Sequence, residues 1–383
     1  MKGLRKSVVL MVVLLTMVSL LAGCGAPDKA DEQVIKIGAN MDLSGGGSTF
    51  GTSVLNGVKM AVEEVNAAGG INGKQIKLFV EDNKTEPAEA ANTTKKLIEQ
   101  DQVDLIIGAV TSGCTLSSAP IAQASGVPMI TPTSTNPQVT ETGDYIFRSC
   151  FIDPLQGTAM AKFAAEKLKA KTAVIMGDVT SDYSKGLTEV FKKDFEAAGG
   201  KVLSVESFAQ KDTDFNAQLT KIKAEKPDVI FLPAYYTEVG LILKQARQQG
   251  IDQPFIGTDG WDSPKLVEIA GNATNNGYFT NHYATDDQDP VIQGFIKKYK
   301  DKYNQVPDAF ATLGYEATLI AVKALEKAGS TDKKAVRDAM AATKDVPGIT
   351  GKISLDANRN PIKAVTIIEM KDGKQTFLDK INP

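Results

Sequence analysis

The sequence predicts an α/β fold of two similar lobes, each built on a parallel sheet that helices cover on both faces. The length of 383 residues fits two domains of ~100–200 residues. Short β-rich runs alternate with amphipathic helical runs, and such units with short connections imply a parallel sheet. The same order starts again after residue 151, and a helix in each half ends in Ala-Ala-Gly-Gly, at 67–70 and at 197–200.

The elements of the first half follow from hydrophobic period and from helix breakers. The first helix has an apolar stripe from Val54 to Val65 and stops at Gly69-Gly70, a common helix ending. The predicted order is a strand at 34–39, a helix at about 52–68, a strand at 75–81, a helix at 87–100, an apolar strand at 103–107, a helix at 115–124, a strand beginning at 129–130 and the segment 145–151.

The second half repeats this alternation and then adds helices. Its predicted strands are at 172–176, 201–207, 229–232 and 255–256, and the helices between them are at 184–198, 215–224 and 238–248. Further helices are predicted at 289–303, 310–328 and 333–342, and two or three short strands at 351–355, 364–370 and 375–378 close the chain.

Composition excludes several classes of function. A hydrophobic fraction of 42% and a charged fraction of 23% are typical of a globular protein. A pI near 5.5 removes the broad basic surface that nucleic-acid binding needs. One histidine leaves at most one imidazole for acid–base or metal chemistry, and three cysteines cannot form a four-thiolate zinc site. We therefore expect no cofactor and no metal, although an enzyme that uses only carboxylates, such as a glycosidase, is not excluded.

The N-terminus has the pattern of an export signal. Lys2, Arg5 and Lys6 precede an apolar run at 7–21, and Leu-Ala-Gly-Cys follows at 21–24. This tetrapeptide resembles the lipobox of bacterial lipoproteins, in which the chain is cut before the cysteine and its sulfur takes a diacylglycerol. We predict a signal peptide at 1–23, lipidation at Cys24 and a flexible tether at 24–33; an uncleaved anchor is the alternative. Cleavage changes the formal charge from −3 to −6.

Two nucleotide-binding motifs are absent although glycines are abundant. In the Ser-Gly-Gly-Gly-Ser run at 44–48, Phe50 occupies the position of the third glycine of a dinucleotide fingerprint. Every Gly-Lys pair continues without the Ser or Thr of a phosphate-binding loop. We interpret the glycine run as a flexible loop that faces a cleft.

Hydroxyl residues follow two neighbouring strands. Thr111-Ser112-Gly113-Cys114-Thr115 lies between a buried strand and a helix, and Thr-Pro-Thr-Ser-Thr at 131–135 follows the next strand. Ligands of open α/β sheets bind beyond the carboxyl ends of strands, where a helix start offers free N–H groups to an anion. Helix capping alone is the other interpretation of Ser112 or Thr115.

Several other residues allow both a functional and a structural interpretation. Asp259 follows a strand, but aspartate beside glycine is often only a turn former. His282 would have to act alone in catalysis, so we interpret it as a surface or interdomain residue. The aromatics Tyr183, Tyr235 and Trp261 lie beyond strand ends, where they either line a pocket or fill a core. Cys114 and Cys150 either pair outside the cytoplasm or remain free thiols.

Eight segments occur in a characteristic order along the mature chain. They are Ile-Lys-Ile-Gly at 35–38, Leu-Ser-Gly at 43–45, Gly-Val-Lys-Met-Ala at 57–61, Val-Asn-Ala-Ala-Gly-Gly-Ile at 65–71, Ile107-Gly108 to Ser112, Met-Ile-Thr-Pro at 129–132, Ser-Asp-Tyr-Ser-Lys-Gly at 181–186 and Leu-Ile-Leu-Lys-Gln-Ala-Arg at 241–247. In this order they resemble the substrate-binding proteins of branched-chain amino-acid ABC transporters, the leucine/isoleucine/valine-binding family.

This resemblance implies a type I periplasmic binding protein fold. Two doubly wound parallel-sheet lobes are joined by a three-strand hinge and close on one amino acid. We expect the first lobe at 34–153 and 283–355, and the second at 154–282 and 356–383.

The resemblance also implies roles for residues of the site. Ser112 and Thr135 match hydroxyl residues that bind the α-carboxylate of the ligand, and the Thr133 carbonyl matches an acceptor for its ammonium. Asp259 matches the acid that pairs with the ammonium, which Tyr235 also faces. The side-chain pocket is expected to include Phe50, Val110, Thr111, Tyr183 and Phe310, with Trp261 close by.

The sequence departs from the family pattern at two places, and Asp259, together with Thr111 in the pocket wall, widens the range of ligands. The disulfide of the first lobe is missing, because Thr85 and Thr111 occupy its positions. Asp259 stands where branched-chain binders often have glutamate, so a polar or aromatic side chain is a second possibility.

We therefore expect a monomeric, non-enzymatic lipoprotein outside the cytoplasmic membrane. It would capture a branched-chain or other hydrophobic amino acid and deliver it to an ABC permease with its ATPases. The alternatives are a sensory binding protein of the same fold that signals through a partner, or a binder of a different small polar or aromatic ligand.

Overall fold

The structure is a computed structural model that describes residues 34–382. The predicted signal peptide, the tether and the lipidation site Cys24 lie outside the described residues and stay predictions. Between residues 34 and 382, no helix combines the length and the apolar character that crossing a membrane requires.

The first lobe begins with four βα units and a fifth strand, which together form a parallel sheet. Its strands have the order β2-β1-β3-β4-β5, and the central strand β3 is completely buried because helices cover both faces. The elements are β1 (Val34–Met41), α1 (Ser48–Ala67), β2 (Gln75–Asp82), α2 (Pro87–Glu99), β3 (Leu105–Gly108), α3 (Ser112–Ala124), β4 (Met129–Thr131), α4 (Gln138–Glu141) and β5 (Ile146–Arg148).

After β5 the chain enters the second lobe, where the alternation is repeated. The elements are α5 (Asp153–Lys162, continued by a π-helical turn at Phe163–Lys167), β6 (Thr172–Asp178), α6 (Asp182–Ala197), β7 (Lys201–Phe208), α7 (Asn216–Glu225), β8 (Val229–Phe231), α8 (Tyr236–Gln248), β9 (Phe255–Gly257), α9 (Pro264–Ala270) and β10 (Gly277–Asn281).

The chain then returns to the first lobe and crosses once more. The returning elements are α10 (Pro290–Tyr303), α11 (Ala309–Ala328), α12 (Lys333–Ala341), β11 (Val346–Pro347) and β12 (Lys352–Ile353), followed by β13 (Val365–Lys371) and β14 (Lys374–Ile381) in the second lobe. The second sheet has the order β14-β13-β10-β9-β8-β6-β7, in which β13 and β14 are antiparallel additions. The predicted fold class of two α/β lobes is confirmed, and the lobe boundaries stay predictions.

Five elements were not expected from the sequence, namely α4, α5, α9, β10 and β11. Helix α5 has buried residues on several faces, and Gly157 lies within it, so it lacks a clear apolar stripe. Strand β10 spans five residues that carry no regular alternation. The predicted strand at 351–355 is reduced to β12, which pairs only with β11.

Helices α1 and α11 cross at two glycines. A Cβ atom on Gly57 would lie 1.9 Å from the Ala311 carbonyl oxygen, and one on Gly314 would lie 2.3 Å from the Val54 carbonyl oxygen. Each helix therefore uses a glycine to let the other backbone approach, which holds α1 and its N-terminal Phe50 against the C-terminal helices.

We expect Gly57→Ala to destabilise the protein by about 1–3 kcal/mol, because the new methyl group must push two helix backbones apart. The matched control is Gly294→Ala in α10, where an added Cβ would meet no atom within 4 Å. That change should stabilise by about 0.5–1 kcal/mol through helix propensity. Urea denaturation of both variants measures the difference, and equal effects would contradict the close crossing.

Candidate functional site

A cavity of about 230 Å³ lies between the two lobes, beyond the carboxyl ends of their parallel strands. A larger groove of about 770 Å³ lies between α11 and α12, but it holds none of the strand-end residues predicted above. The cavity between the lobes is lined by Phe50, Val110, Thr111, Ser112, Thr133, Tyr183, Tyr235, Asp259, Gly260 and Phe310.

The start of α3 forms the wall from the first lobe. The first hydrogen bond within this helix runs from the Thr115 N–H to the Thr111 carbonyl, so the N–H groups before it have no partner inside the helix. Ser112 is the first helical residue and is 1% exposed. Free N–H groups and the positive end of the helix dipole make this wall favourable for a carboxylate.

Hydroxyl groups hold the two strand-end loops of the first lobe together. The side chains of Thr133 and Ser134 donate to the Val110 carbonyl, at 2.7 and 3.0 Å. Thr111 donates its hydroxyl to Asp42 at 2.8 Å, and burial raises the pKa of Asp42 to about 6. These hydroxyls therefore shape the cavity wall, and the Thr133 hydroxyl already donates its hydrogen to the Val110 carbonyl.

Asp259 forms the opposite wall, from the second lobe. It lies in a 3₁₀ turn directly after β9 and is 3% exposed. Its Oδ1 accepts hydrogen bonds from the Tyr183 hydroxyl at 2.7 Å and from the Gln156 amide at 3.1 Å, and its Oδ2 lies 3.2 Å from His282 Nε2. Within residues 34–382, no lysine or arginine forms an ion pair with this carboxylate. Buried charges are ordinarily paired, so Asp259 presents an uncompensated negative charge to the cavity.

Four aromatic rings enclose the rest of the cavity. Phe50 and Phe310 are stacked with their centroids 4.0 Å apart, and Tyr183 and Tyr235 are stacked at 4.9 Å. Phe50 meets Tyr235 edge to face at 5.6 Å, which joins the two pairs across the lobes. The cavity thus combines an anionic wall, a wall of helix N–H groups and an aromatic enclosure.

Two predicted site residues do not line this cavity. Trp261 is fully buried in the second lobe, where its indole N–H donates to the Leu232 carbonyl at 2.9 Å and its ring stacks on Phe279. The Thr135 hydroxyl is buried beside the Asp153 carboxyl group, and the Thr135 carbonyl accepts the Asp153 N–H.

Other buried residues join the site although their positions in the sequence gave no signal. Gly260 lines the cavity, and its N–H donates to the Tyr183 hydroxyl oxygen at 2.9 Å. The Gln156 side chain donates to both Asp153 and Asp259, at 2.9 and 3.1 Å. His282 is 6% exposed and lies at the passage from β10 towards the first lobe, which excludes the surface position considered above.

Cys114 and Cys150 are both free thiols, so the predicted alternative of a disulfide is wrong.

Comparison with known proteins decides the family. A family model described as periplasmic binding protein matches residues 34–375. The chain belongs to the periplasmic binding protein family. It is 34% identical over 324 residues, covering 84% of this chain and 86% of the relative, to the leucine-, isoleucine-, valine-, threonine- and alanine-binding protein of Pseudomonas aeruginosa.

Solved structures of periplasmic binding proteins share the fold. The branched-chain amino acid transporter substrate-binding protein LivJ of Streptococcus pneumoniae, in complex with isoleucine, has a TM-score of 0.87 and 38% identity, covering 91% of this chain and 100% of its own. A solute-binding protein of an ABC transporter from R. palustris, in complex with benzoate, has a TM-score of 0.83 and 26% identity, covering 91% and 97%. The fold is therefore that of type I periplasmic binding proteins, a family of extracytoplasmic solute binders rather than enzymes.

In this periplasmic binding protein the two lobes touch along the rim of the cleft. Thr49 donates its hydroxyl to the Tyr236 hydroxyl oxygen at 2.9 Å, and the Asn136 amide donates to the Asp182 carbonyl at 3.0 Å. Lys211 and Glu86 form an exposed ion pair at 2.7 Å. The described conformation is therefore closed over the cavity.

Asp153 gives the periplasmic binding protein a pH-dependent stability. Burial, and next the charge of Asp259, raise the pKa of Asp153 to about 7, against ~3.9 in an unfolded chain. Between these values the folded protein holds a proton that the unfolded chain has released. Stability therefore falls as pH rises through this window, by up to ~1.4 kcal/mol per pH unit.

We expect Asp153→Asn to flatten this dependence, so that the variant gains stability over the parent between pH 5 and pH 8. The asparagine oxygen can still accept the Gln156 amide. Urea denaturation at both pH values measures the gain, and Asp182→Asn, an exposed acid on the same lobe, is the control. A constant difference between parent and variant across this range would disprove the elevated pKa.

Proposed function

We propose that this periplasmic binding protein captures a free α-amino acid with a branched-chain or other hydrophobic side chain and delivers it to an ABC permease. The observation that carries the proposal is the Asp259 carboxylate, which is buried at the cavity and has only neutral hydrogen-bond donors. A ligand ammonium would supply the missing positive charge.

The other end of an amino acid fits the wall from the first lobe. A carboxylate placed at the start of α3 would accept hydrogen bonds from the Ser112 hydroxyl and from backbone N–H groups. Val110, Phe50 and Phe310 then surround an apolar side chain. The isoleucine complex of S. pneumoniae LivJ and the ligands named for the P. aeruginosa relative support this ligand class.

The proposed mechanism is closure of the lobes around the ligand. Asp259, Tyr183 and Tyr235 belong to the second lobe, whereas Ser112 and Phe50 belong to the first. A ligand that contacts both sets binds the closed state better than the open one, and this difference shifts the population towards closure. No covalent step is involved.

Isothermal titration calorimetry with leucine and two truncated analogues tests the proposal. Leucine should bind stoichiometrically and be recovered unchanged, whereas 3-methylbutylamine lacks the carboxylate and 4-methylpentanoate lacks the ammonium. Each analogue should bind at least ~100-fold more weakly, since each leaves one wall unpaired. If leucine, isoleucine and valine all fail to bind, the proposal is rejected.

An aromatic carboxylate is the second candidate ligand. Four rings face the cavity, and the R. palustris relative is described in complex with benzoate. Benzoate has no ammonium, so its binding would leave Asp259 uncompensated. Tight binding of benzoate together with weak binding of leucine would favour this candidate, and mass spectrometry of a co-purified ligand would decide directly.

The proposal includes a lipid anchor at Cys24 and action as a monomer. The support is the Leu-Ala-Gly-Cys sequence that ends the apolar run of the N-terminus. Mass spectrometry of the protein from a membrane fraction should show a diacylglycerol on Cys24 as the new N-terminus. An unmodified chain in the soluble fraction would refute the anchor.

A further inference from the structure

The single histidine of the chain stands directly behind the proposed ammonium site. His282 Nε2 lies 3.2 Å from Asp259 Oδ2, and the histidine side chain is 2% exposed. Its ring is stacked on Phe151, with centroids 3.8 Å apart and planes 18° from parallel. Phe151 and His282 belong to two of the three passages between the lobes, so the stack fixes the ring at the hinge.

The second ring nitrogen indicates the protonation state of His282. Nδ1 is buried and has no hydrogen-bond partner in the described part of the chain. A protonated Nδ1 would be a buried N–H without an acceptor, and an imidazolium ion would need acceptors for both of its N–H groups. The ring is therefore neutral and carries its proton on Nε2, where it donates to Asp259.

Several charged groups face this ring from different elements. Asp259 favours protonation of His282, as does Glu316 on α11, while Lys363 before β13 opposes it. Glu316 and Lys363 form an ion pair with each other, so Asp259 is the unbalanced charge nearest to the ring. Asp153 lies further away, connected to Asp259 through Gln156. Burial outweighs these attractions and lowers the pKa of His282 below its usual value.

We propose that His282 is a positioning residue for Asp259, whose neutral imidazole orients the carboxylate for the ligand ammonium without cancelling its charge. A lysine or a protonated histidine at 3.2 Å would compete with that ammonium for the same oxygen. Tyr183 and Gln156 are also neutral donors, so all three groups hold Asp259 in place while leaving its charge for the ligand. This inference rests on the proposed function.

The first test needs no ligand. Because the chain contains one histidine, ¹⁵N NMR of the full, histidine-labelled protein reports only His282. We expect the neutral Nε2–H tautomer at pH 7, and a shift of its resonances in Asp259→Asn. An imidazolium ion or the Nδ1–H tautomer at pH 7 would overturn the proposal. So would His282 resonances that are the same in the parent and in Asp259→Asn.

The second test separates positioning from packing. His282→Phe keeps a ring on Phe151 but lacks the donor, and it should weaken leucine binding at least ~10-fold in calorimetry. His282→Gln places an amide N–H near the position of Nε2 and should restore the affinity to within ~3-fold of the parent. Equal affinities of the Phe variant and the parent would overturn the proposal. If the parent binds no amino acid, the proposed function fails and the NMR result still decides the contact of His282 with Asp259.

Discussion

Asp259→Asn is expected to weaken leucine binding at least ~100-fold, which corresponds to about 2.7 kcal/mol. Removing one partner of a buried, hydrogen-bonded charge pair costs ~2–5 kcal/mol, because the other charge stays buried and unpaired. The asparagine keeps the size of the side chain and an acceptor for Tyr183, so the shape of the cavity is preserved. The charge that faces the ligand ammonium is lost, together with the acceptor for His282 Nε2.

The same substitution should leave the ligand-free protein at least as stable as the parent. Asp259 has no cationic partner within residues 34–382, so its removal breaks no ion pair with lysine or arginine. Calorimetry gives the affinity, urea denaturation gives the stability, and Asp182→Asn on the rim of the cleft is the control with equal charge change. Unchanged leucine affinity would reject the role of Asp259. A loss of both stability and affinity would show that its role is structural.

Part of the cavity lining was predictable from a rule of topology, whereas Phe50, Val110 and Phe310 were assigned to it only through the family resemblance. Thr111, Ser112 and Asp259 come directly after parallel strands, and carboxyl ends of such strands meet at one edge of each sheet. Hydrophobic period alone located these strands to within a few residues. Nine of the eleven predicted ligand-binding residues line the cavity, and whether they bind a ligand stays a prediction.

The hydrogen bonds that hold Asp259 in place behind the cavity were not predictable from local sequence pattern. Gln156 and Asp259 are 103 positions apart, and Gln156 and Thr280 are 124 apart, yet they share hydrogen bonds. All three residues belong to the second lobe, where α5 packs against β10 and the turn after β9, and no spacing along the sequence encodes these meeting points. Trp261 was predicted close to the pocket but fills the core. A position beyond a strand end does not distinguish these two roles for an aromatic residue.

Lys363→Met is expected to destabilise the protein by about 3–5 kcal/mol. Lys363 is 5% exposed and pairs with Glu316, which is completely buried on α11. Glu316 also accepts the Thr350 N–H at 2.7 Å and the Thr350 hydroxyl at 2.9 Å. Methionine matches the length of the lysine stem but leaves the Glu316 charge in the interior without a cation. Urea denaturation should show a lower midpoint.

If charge compensation stabilises this contact, a second substitution should repair the first. Glu316→Gln removes the orphaned charge and keeps an acceptor for Thr350, so the double variant should recover most of the lost stability. Lys298→Met is the surface control: it breaks the exposed pair with Glu64 and should cost at most about 1 kcal/mol. A double variant as unstable as Lys363→Met alone would assign the loss to packing of the lysine stem. Recovery would show that the third passage between the lobes is held to α11 by charge compensation.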